Sequence, residues 1–249
     1  MNTAKPKQVY FFGTCLVDLF YPEAGLAGIR LIQREGVDVI FPQGQSCCGQ
    51  PAWNSGYRDE ARDVAAAQLA LFTKEIPVVV PSASCAGMMK EHYPALFRDT
   101  PLETIAVDLS KRIVELTAFL VDVLDIRVED LGAPQKVAIH SSCSALREMQ
   151  VGDRIESLVS NHSRIEKVEQ AYKRECCGFG GTFSIKQPEI SGAMVADKTT
   201  TIRESGADIL VSQDCGCLMN IAGAFEKQGD GPRCMHIAEF LWERTHADD

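Results

Sequence analysis

Cysteine is the residue whose spacing carries chemistry in this sequence. Cys15, the adjacent pair Cys47 and Cys48, and Cys85 form one series; Cys143, the adjacent pair Cys176 and Cys177, and Cys217 form a second, with Cys215 as an unmatched extra. Between the single cysteine and the pair lie 31 residues in the first series and 32 in the second, and both pairs run on into glycine, at Gly49 and Gly178. Four or five soft thiolates per series suit an iron–sulfur cluster, in which each iron completes its coordination with a protein group. Zinc also accepts four thiolates, but structural zinc sites use pairs separated by two to four residues. Adjacent cysteines bite one ion poorly and reach two metals of a cluster more readily, so iron–sulfur is the favoured reading and zinc the alternative. The glycine after each pair is expected to let the backbone lie close to an inorganic sulfide.

The elements that must position these thiols repeat as well. Val9-Tyr10-Phe11-Phe12-Gly13-Thr14-Cys15 and Val137-Ala138-Ile139-His140-Ser141-Ser142-Cys143 are both short β-prone runs that deliver a cysteine after two small residues. Pro77 to Pro81 and Asp208 to Val211 read as buried strands leading to Cys85 and Cys217. Helical patterns run over Glu23 to Glu35, Asp59 to Glu75, Pro188 to Glu204 and Leu218 to Lys227. Ser110 to Leu124, with Ile113, Leu116, Leu120 and Leu124 on one face, is expected to be a helix closing the first half, and His236 to Arg244 its counterpart. Alternating strands and helices predict an α/β fold of two pseudo-symmetric halves, each with a small, mainly parallel sheet flanked by helices. The turn-rich Asp130 to Pro134 marks the expected boundary between a first cysteine-rich half, 1–129, and a second, 130–249. Parallel sheets gather ligands outside the carboxyl ends of their strands, where these cysteine loops would converge.

Composition narrows the function classes. A chain of 249 residues with 45% apolar residues can bury a substantial core, and its formal charge of −9 without a long basic run argues against nucleic acid as a partner. No apolar stretch approaches the roughly 18 residues of a membrane span, and the opening Met-Asn-Thr-Ala-Lys-Pro-Lys lacks a signal peptide's hydrophobic segment. A cytoplasmic protein without direct membrane insertion is expected, in which ten cysteines are reduced thiols for metal or redox work instead of disulfides.

Other residues admit blander readings. Cys234 stands outside both series and reads as a buried small hydrophobe. His140, three positions before Cys143, has the chemistry to bond a cluster sulfide or shuttle a proton, but a hydrogen-bonded interior histidine is the commoner explanation; His236 invites the same caution. Gly178-Phe179-Gly180-Gly181 lacks the Walker lysine and the dinucleotide spacing, so it is read as a loop close to the cluster. Trp53, Tyr57 and Phe183 read as packing residues that also shield the centre.

A cysteine, a gap of 31 or 32 residues, Cys-Cys-Gly and a strand-end cysteine, twice over, resemble the cysteine-rich CCG family. That family includes heterodisulfide reductase B subunits and iron–sulfur subunits of glycolate, glycerol-3-phosphate and lactate oxidation systems. Cys176-Cys177-Gly178-Phe179-Gly180-Gly181-Thr182-Phe183-Ser184 and Cys217-Leu218-Met219-Asn220-Ile221 most resemble its lactate-utilisation branch. The resemblance implies an iron–sulfur oxidoreductase subunit that oxidises L-lactate to pyruvate with partner subunits. It also implies metal ligation by Cys15, Cys47, Cys48, Cys85, Cys143, Cys176, Cys177 and Cys217, with Cys215 in reserve. Heterodisulfide reductase-like members end each motif in Cys-x-x-Cys and hold a non-cubane cluster with five cysteines. Here Ser82 and Asp214 occupy the first of those positions, so ordinary 4Fe-4S clusters, one or two per chain, are the simpler expectation. The alternatives are a thiol–disulfide reductase and a zinc-stabilised interaction protein.

Overall fold

The computed structural model describes residues 5–245; the first four residues, on which part of the export-signal reading rests, lie outside that range. The chain separates between Asp125 and Ile126 into two compact units, upstream of the turn-rich 130–134 stretch. Ile126 is buried, and Arg127 and Val128 border Leu158, His162 and Leu241, which draws this segment into the second unit.

The first unit opens with β1 (Gln8–Phe11), α1 (Cys15–Phe20), α2 (Pro22–Arg34) and β2 (Asp38–Ile40), followed by α3 (Gln50–Asn54), α4 (Arg58–Leu69) and β3 (Val78–Val80). A helical run then comprises α5 (Ala83–Gly87), a π-helical turn at Met88–His92 and α6 (Tyr93–Leu96); α7 (Glu103–Arg112), β4 (Ile113–Glu115) and α8 (Leu116–Ala118) complete it, with a further π turn at Phe119–Val123. All four strands pair in parallel, in the order β2-β1-β3-β4. The core is the two-sided packing of helices on this sheet: Val78, Val79 and Val80 are fully buried, and α2 buries Ala24, Gly25, Ala27, Gly28, Leu31 and Ile32 on one stripe.

The second unit repeats the plan with β5 (Gln135–His140), a π turn at Ser144–Glu148, α9 (Gly152–Ser160), β6 (Ile165–Lys167), α10 (Phe183–Lys186), α11 (Pro188–Glu204), β7 (Ile209–Ser212), α12 (Cys215–Gln228), β8 (Arg233–His236) and α13 (Ile237–Arg244). Its strands are again parallel, in the order β6-β5-β7-β8. The expected pair of parallel α/β halves is therefore the observed architecture. Among the described residues no helix is long and apolar enough to cross a membrane.

Three local expectations change. Ser110 to Leu124 is not one helix: α7 stops at Arg112 because Ile113, Val114 and Glu115 extend to pair with Val78, Val79 and Val80, covering an edge that β3 would otherwise leave open. Glu115 then restarts the helix, its carboxylate accepting from the Ala118 N–H at 3.1 Å. The helix expected to reach Glu75 ends at Leu69, since the Arg112 guanidinium gathers the carbonyls of Phe72, Lys74 and Ile76 in a turn. His236 ends a strand and begins a helix: its Nδ1 accepts from the Ala238 N–H at 3.2 Å while the Glu239 carboxylate accepts from the His236 N–H at 3.0 Å, a capping box that explains this histidine structurally.

The unit boundary is clamped at the second half's own ends. Arg244, buried at the end of α13, pairs with the buried Asp130 carboxylate, with Nε donating at 2.6 Å, and also donates to the carbonyls of Gly132 and Ala133.

Candidate metal centres

Strand order decides where the thiols meet. In each sheet the connections run in opposite directions from the two central strands, so the carboxyl ends of β1 and β3, and of β5 and β7, flank a crevice at a topological switch point. Cys15 follows β1 and Cys85 follows β3; Cys143 follows β5 and Cys217 follows β7. The paired cysteines arrive on the loop after the neighbouring outer strand, β2 or β6.

The four expected thiols of each half come together. Cys47 interacts with Cys15 and Cys48, and Cys48 with Cys85; likewise Cys176 interacts with Cys143 and Cys177, and Cys177 with Cys217. Hydrogen bonds first from Cys15 and then from Cys48 hold the Cys47 thiol far below its ordinary range, at about 3. Those from Cys143 and Cys177 hold Cys176 at about 2. The donors pay in the opposite direction: Cys15 and Cys143 are pushed up by these same bonds and by burial. Cys217 is also pushed up: the hydrogen bond from Cys177 favours its thiolate, but burial together with the charges of Asp214 and Cys176 prevails. Each set is thus a chain of sulfurs that cannot all ionise without a cation among them, which is the condition a metal centre satisfies.

The backbone around each pair is fixed by matching devices. Gly49 and Gly178 have φ of +89° and +86°, and their N–H groups donate to the Sγ of Cys47 and Cys176 at 3.4 Å. A Cβ would meet the carbonyl oxygen of Ala61 at 3.1 Å or of Ser191 at 2.8 Å. The glycines therefore serve a left-handed turn and a close helix approach. Tyr93 Oη donates to the Cys48 carbonyl at 3.0 Å, and Asn220 Nδ2 to that of Cys177 at 2.8 Å. Gln45 bonds the Phe11 carbonyl at 3.1 Å, and Gln170 the corresponding Ile139 carbonyl at 2.7 Å.

Residues outside the two sets fall into place. Cys215 opens α12 two positions before Cys217, and helical neighbours at that separation do not share a face. Cys234 lies half-buried on β8, its thiol pushed up to about 12 by burial and directed at the Pro232 carbonyl. Asp214 caps α12, accepting from the Gly216 N–H at 3.3 Å, and Ser82 Oγ lies 3.1 Å from Ser84 Oγ. Trp53 stacks on His92 with ring centroids 5.0 Å apart and lies under the Arg58 guanidinium, while Tyr57 is exposed. A pocket of about 350 Å³ opens beside Cys15 and Cys47, walled by Phe41, Leu19 and Thr14.

His140 departs from its bland reading. It is fully buried, yet neither ring nitrogen has a hydrogen-bond partner, and a ring nitrogen and the Sγ atoms of Cys177 and Cys217 lie within 4.8 Å of one another. Burial, and then the nearby Lys198, hold its imidazole near a pKa of about 3 and hence neutral.

Lys198 was not legible as a site residue. Buried on α11, it donates to the carbonyls of Tyr172 at 3.0 Å and Lys173 at 3.4 Å, and its charge bears on Glu175 and on the second thiol set. Its signal was a lysine at the position corresponding to the buried Gln68 of the first half.

A family model described as a cysteine-rich domain, CCG, matches residues 9–90 and again 137–222. The chain is 45% identical over 240 residues to a lactate utilization protein A from Geobacillus sp. (strain WCH70), covering 95% of this chain and 100% of the relative. It is 46% identical over 241 residues to the protein of that name from Geobacillus kaustophilus, covering 96% and 100%. Among solved structures, a hypothetical protein from Helicobacter pylori superposes with a TM-score of 0.60 at 12% identity, covering all of this chain and 51% of that one, a likeness of fold alone. The doubled match and these relatives establish that the chain belongs to the CCG cysteine-rich domain family, with one copy of the domain in each half.

Proposed function

We propose that this chain is a cytoplasmic iron–sulfur subunit of a system that oxidises L-lactate to pyruvate together with partner subunits. The observation that carries the redox part is the gathering of four thiols at the switch point of each sheet. The lactate part rests on the relatives' names, lactate utilization protein A. Cys15, Cys47, Cys48 and Cys85 would hold one 4Fe-4S cluster, and Cys143, Cys176, Cys177 and Cys217 a second. The donor sets fit: they are soft, mutually close, ionised at Cys47 and Cys176, and bonded by backbone N–H groups of the kind that tune cluster potentials. When bound, such clusters store and pass single electrons; the chain itself supplies ligands, shields them and fixes their geometry. The sequence carries no dinucleotide fingerprint, so removal of hydride equivalents from lactate is assigned to the assembled system.

A zinc reading gains support from one observation, the mixed Cys177, Cys217 and His140 donor group. Metal and sulfide analysis of anaerobically prepared protein separates the two: iron with acid-labile sulfide is expected, and stoichiometric zinc without sulfide rejects the proposal. The lone chain is expected not to turn over lactate with artificial acceptors, whereas adding the partner subunits should give lactate-dependent acceptor reduction. Rapid lactate oxidation by the lone chain rejects the division of labour.

A further inference from the structure

We infer that the cavity beside the first thiol set is the binding site of a neutral electron acceptor with an apolar tail, a prenyl quinone. The inference rests on the reading that this thiol set holds an iron–sulfur cluster, and it names the class of molecule that takes electrons from it.

The cavity has two chambers of different chemistry. The first, about 350 Å³, lies against Cys15 and Cys47 themselves, between the loop after β1 and the loop after β2. The second, about 190 Å³, shares Gly13, Asp18 and Phe41 with it and continues along α1 and α2 over Val17, Leu26 and Ile29. Phe41 borders both, its ring so close over Gly13 that a Cβ there would meet it at 3.0 Å. The walls of the first chamber are fixed in advance: Gln45 accepts from the Gly13 N–H at 2.8 Å and donates to the carbonyls of Phe11 and Pro42 at 3.1 and 2.9 Å. Thr14 is held at φ +53° and ψ 150°, a backbone conformation that β-branched residues seldom adopt and that is found at ligand clamps. The second half is built differently, for its counterpart Ser142 keeps an ordinary negative φ. Where Asp18 stands three residues after Cys15, Leu146 stands three after Cys143 and packs against Gly152.

Charge selects the ligand. Apart from the thiols, Asp18 is the one ionisable side chain among the described residues that line the two chambers, and no lysine, arginine or histidine is with it. A carboxylate or phosphate would enter against those negative charges without a counter-ion, which turns away lactate and nucleotides. The donors present are uncharged: Thr14 Oγ1 accepts from the Val17 N–H at 3.4 Å and Ser46 Oγ from Gln68 Nε2 at 2.7 Å, and each hydroxyl keeps its own hydrogen to give. Two hydroxyl donors, an aromatic wall and an adjoining apolar chamber suit a ring that bears two carbonyls and a hydrocarbon chain. Reducing such a ring to its hydroquinone takes two electrons, passed singly from the first centre, and two protons from water at the open mouth. Lactate supplies the balance, releasing two electrons and two protons as the assembled system converts it to pyruvate.

The test is equilibrium dialysis of the anaerobically prepared, unreduced full chain against decylubiquinone and against its methyl analogue, with iron and sulfide measured in the same sample. One decylubiquinone per chain is expected, bound at least about tenfold more tightly than the methyl analogue, since each buried methylene adds about fourfold. Leu26→Arg, at an exposed position of the second chamber, should bring decylubiquinone down to the affinity of the methyl analogue and leave that analogue unchanged. L-lactate should displace neither. Protein that contains iron and sulfide but binds neither quinone, or binds both equally, would overturn the site while sparing the cluster reading, and this readout needs no substitution to fold. Displacement by L-lactate, or a preference for the decyl chain that survives in folded Leu26→Arg, would overturn it as well. Protein devoid of iron and sulfide would overturn both the acceptor site and the cluster reading.

Discussion

The two halves share a sheet order, a Cys-Cys-Gly turn and a thiol geometry, and differ in what surrounds the thiols. In the first half the flanking groups are neutral: Phe12 beneath the strand end, and Gln68, whose amide bonds both the N–H and the hydroxyl of Ser46. In the second half the corresponding places hold His140, Lys198 and Glu175, and Lys198 carries its charge into the interior against a burial penalty. A repeated scaffold can therefore keep its thiol geometry and still surround the two sets differently, because backbone devices fix the sulfurs while a few flanking side chains set the field around them.

The largest expected effect is loss of a centre. Cys48→Ala and Cys177→Ala should each remove a different portion of the iron and sulfide and leave the other half's share in place. Equal and complete loss from both variants, measured by metal analysis, would dissolve the comparison into one shared site. Next comes stability. Arg244→Ala strands the buried Asp130 carboxylate and should cost the second half about 3 kcal/mol in urea unfolding. Arg112→Ala in the first half removes hydrogen bonds to three carbonyls from a more exposed guanidinium and should cost on the order of 1 kcal/mol.

A smaller effect probes the field directly. With clusters in place, Lys198→Gln should lower the reduction potential of the second centre by on the order of 60 mV, the equivalent of a tenfold change in a one-electron equilibrium. A buried cation favours the reduced, more negative state, so the sign is downward. Gln68→Lys should raise the first centre if it folds, and a potentiometric titration showing no shift in Lys198→Gln would mean that charge asymmetry does not reach the centre. The smallest effect is on acid stability. Burial raises the Asp130 carboxyl, but the Arg164 N–H and the Arg244 guanidinium prevail and hold it below the ordinary range. Its contribution is present above the unfolded value near 3.8 and is lost as pH falls through the lower folded value. Asp130→Asn should flatten the second half's stability profile below about pH 4.

Much of this was legible in the sequence because cysteine spacing and strand-end small residues are local signals. The repeat, the α/β class and the eight clustered thiols follow from them. What escaped were features decided by tertiary partners. Ile113 to Glu115 looked helical because their periodicity matches the helix around them, and only the open edge of β3 draws them into a strand. Lys198 looked like one more polar helix residue, since its interior position depends on the carbonyls of Tyr172 and Lys173, distant in sequence. His140 stands in plain view in the sequence, but a sequence cannot tell a histidine with hydrogen-bond partners from one without.

The clamp at the end of α13 has a consequence for how such a chain can arise and be rewired. The Leu131 N–H donates to the Arg244 carbonyl at 2.9 Å, so the segment leading into β5 lies beside the end of α13. A module whose entering segment and last helix lie side by side can be copied in tandem without disturbing its interior, and it is also suited to circular permutation. Joining residues near 131 to residues near 244 through a short linker, and opening the chain at an exposed turn, should preserve the β6-β5-β7-β8 sheet and the convergence of its four thiols while changing the order in which the polypeptide visits them.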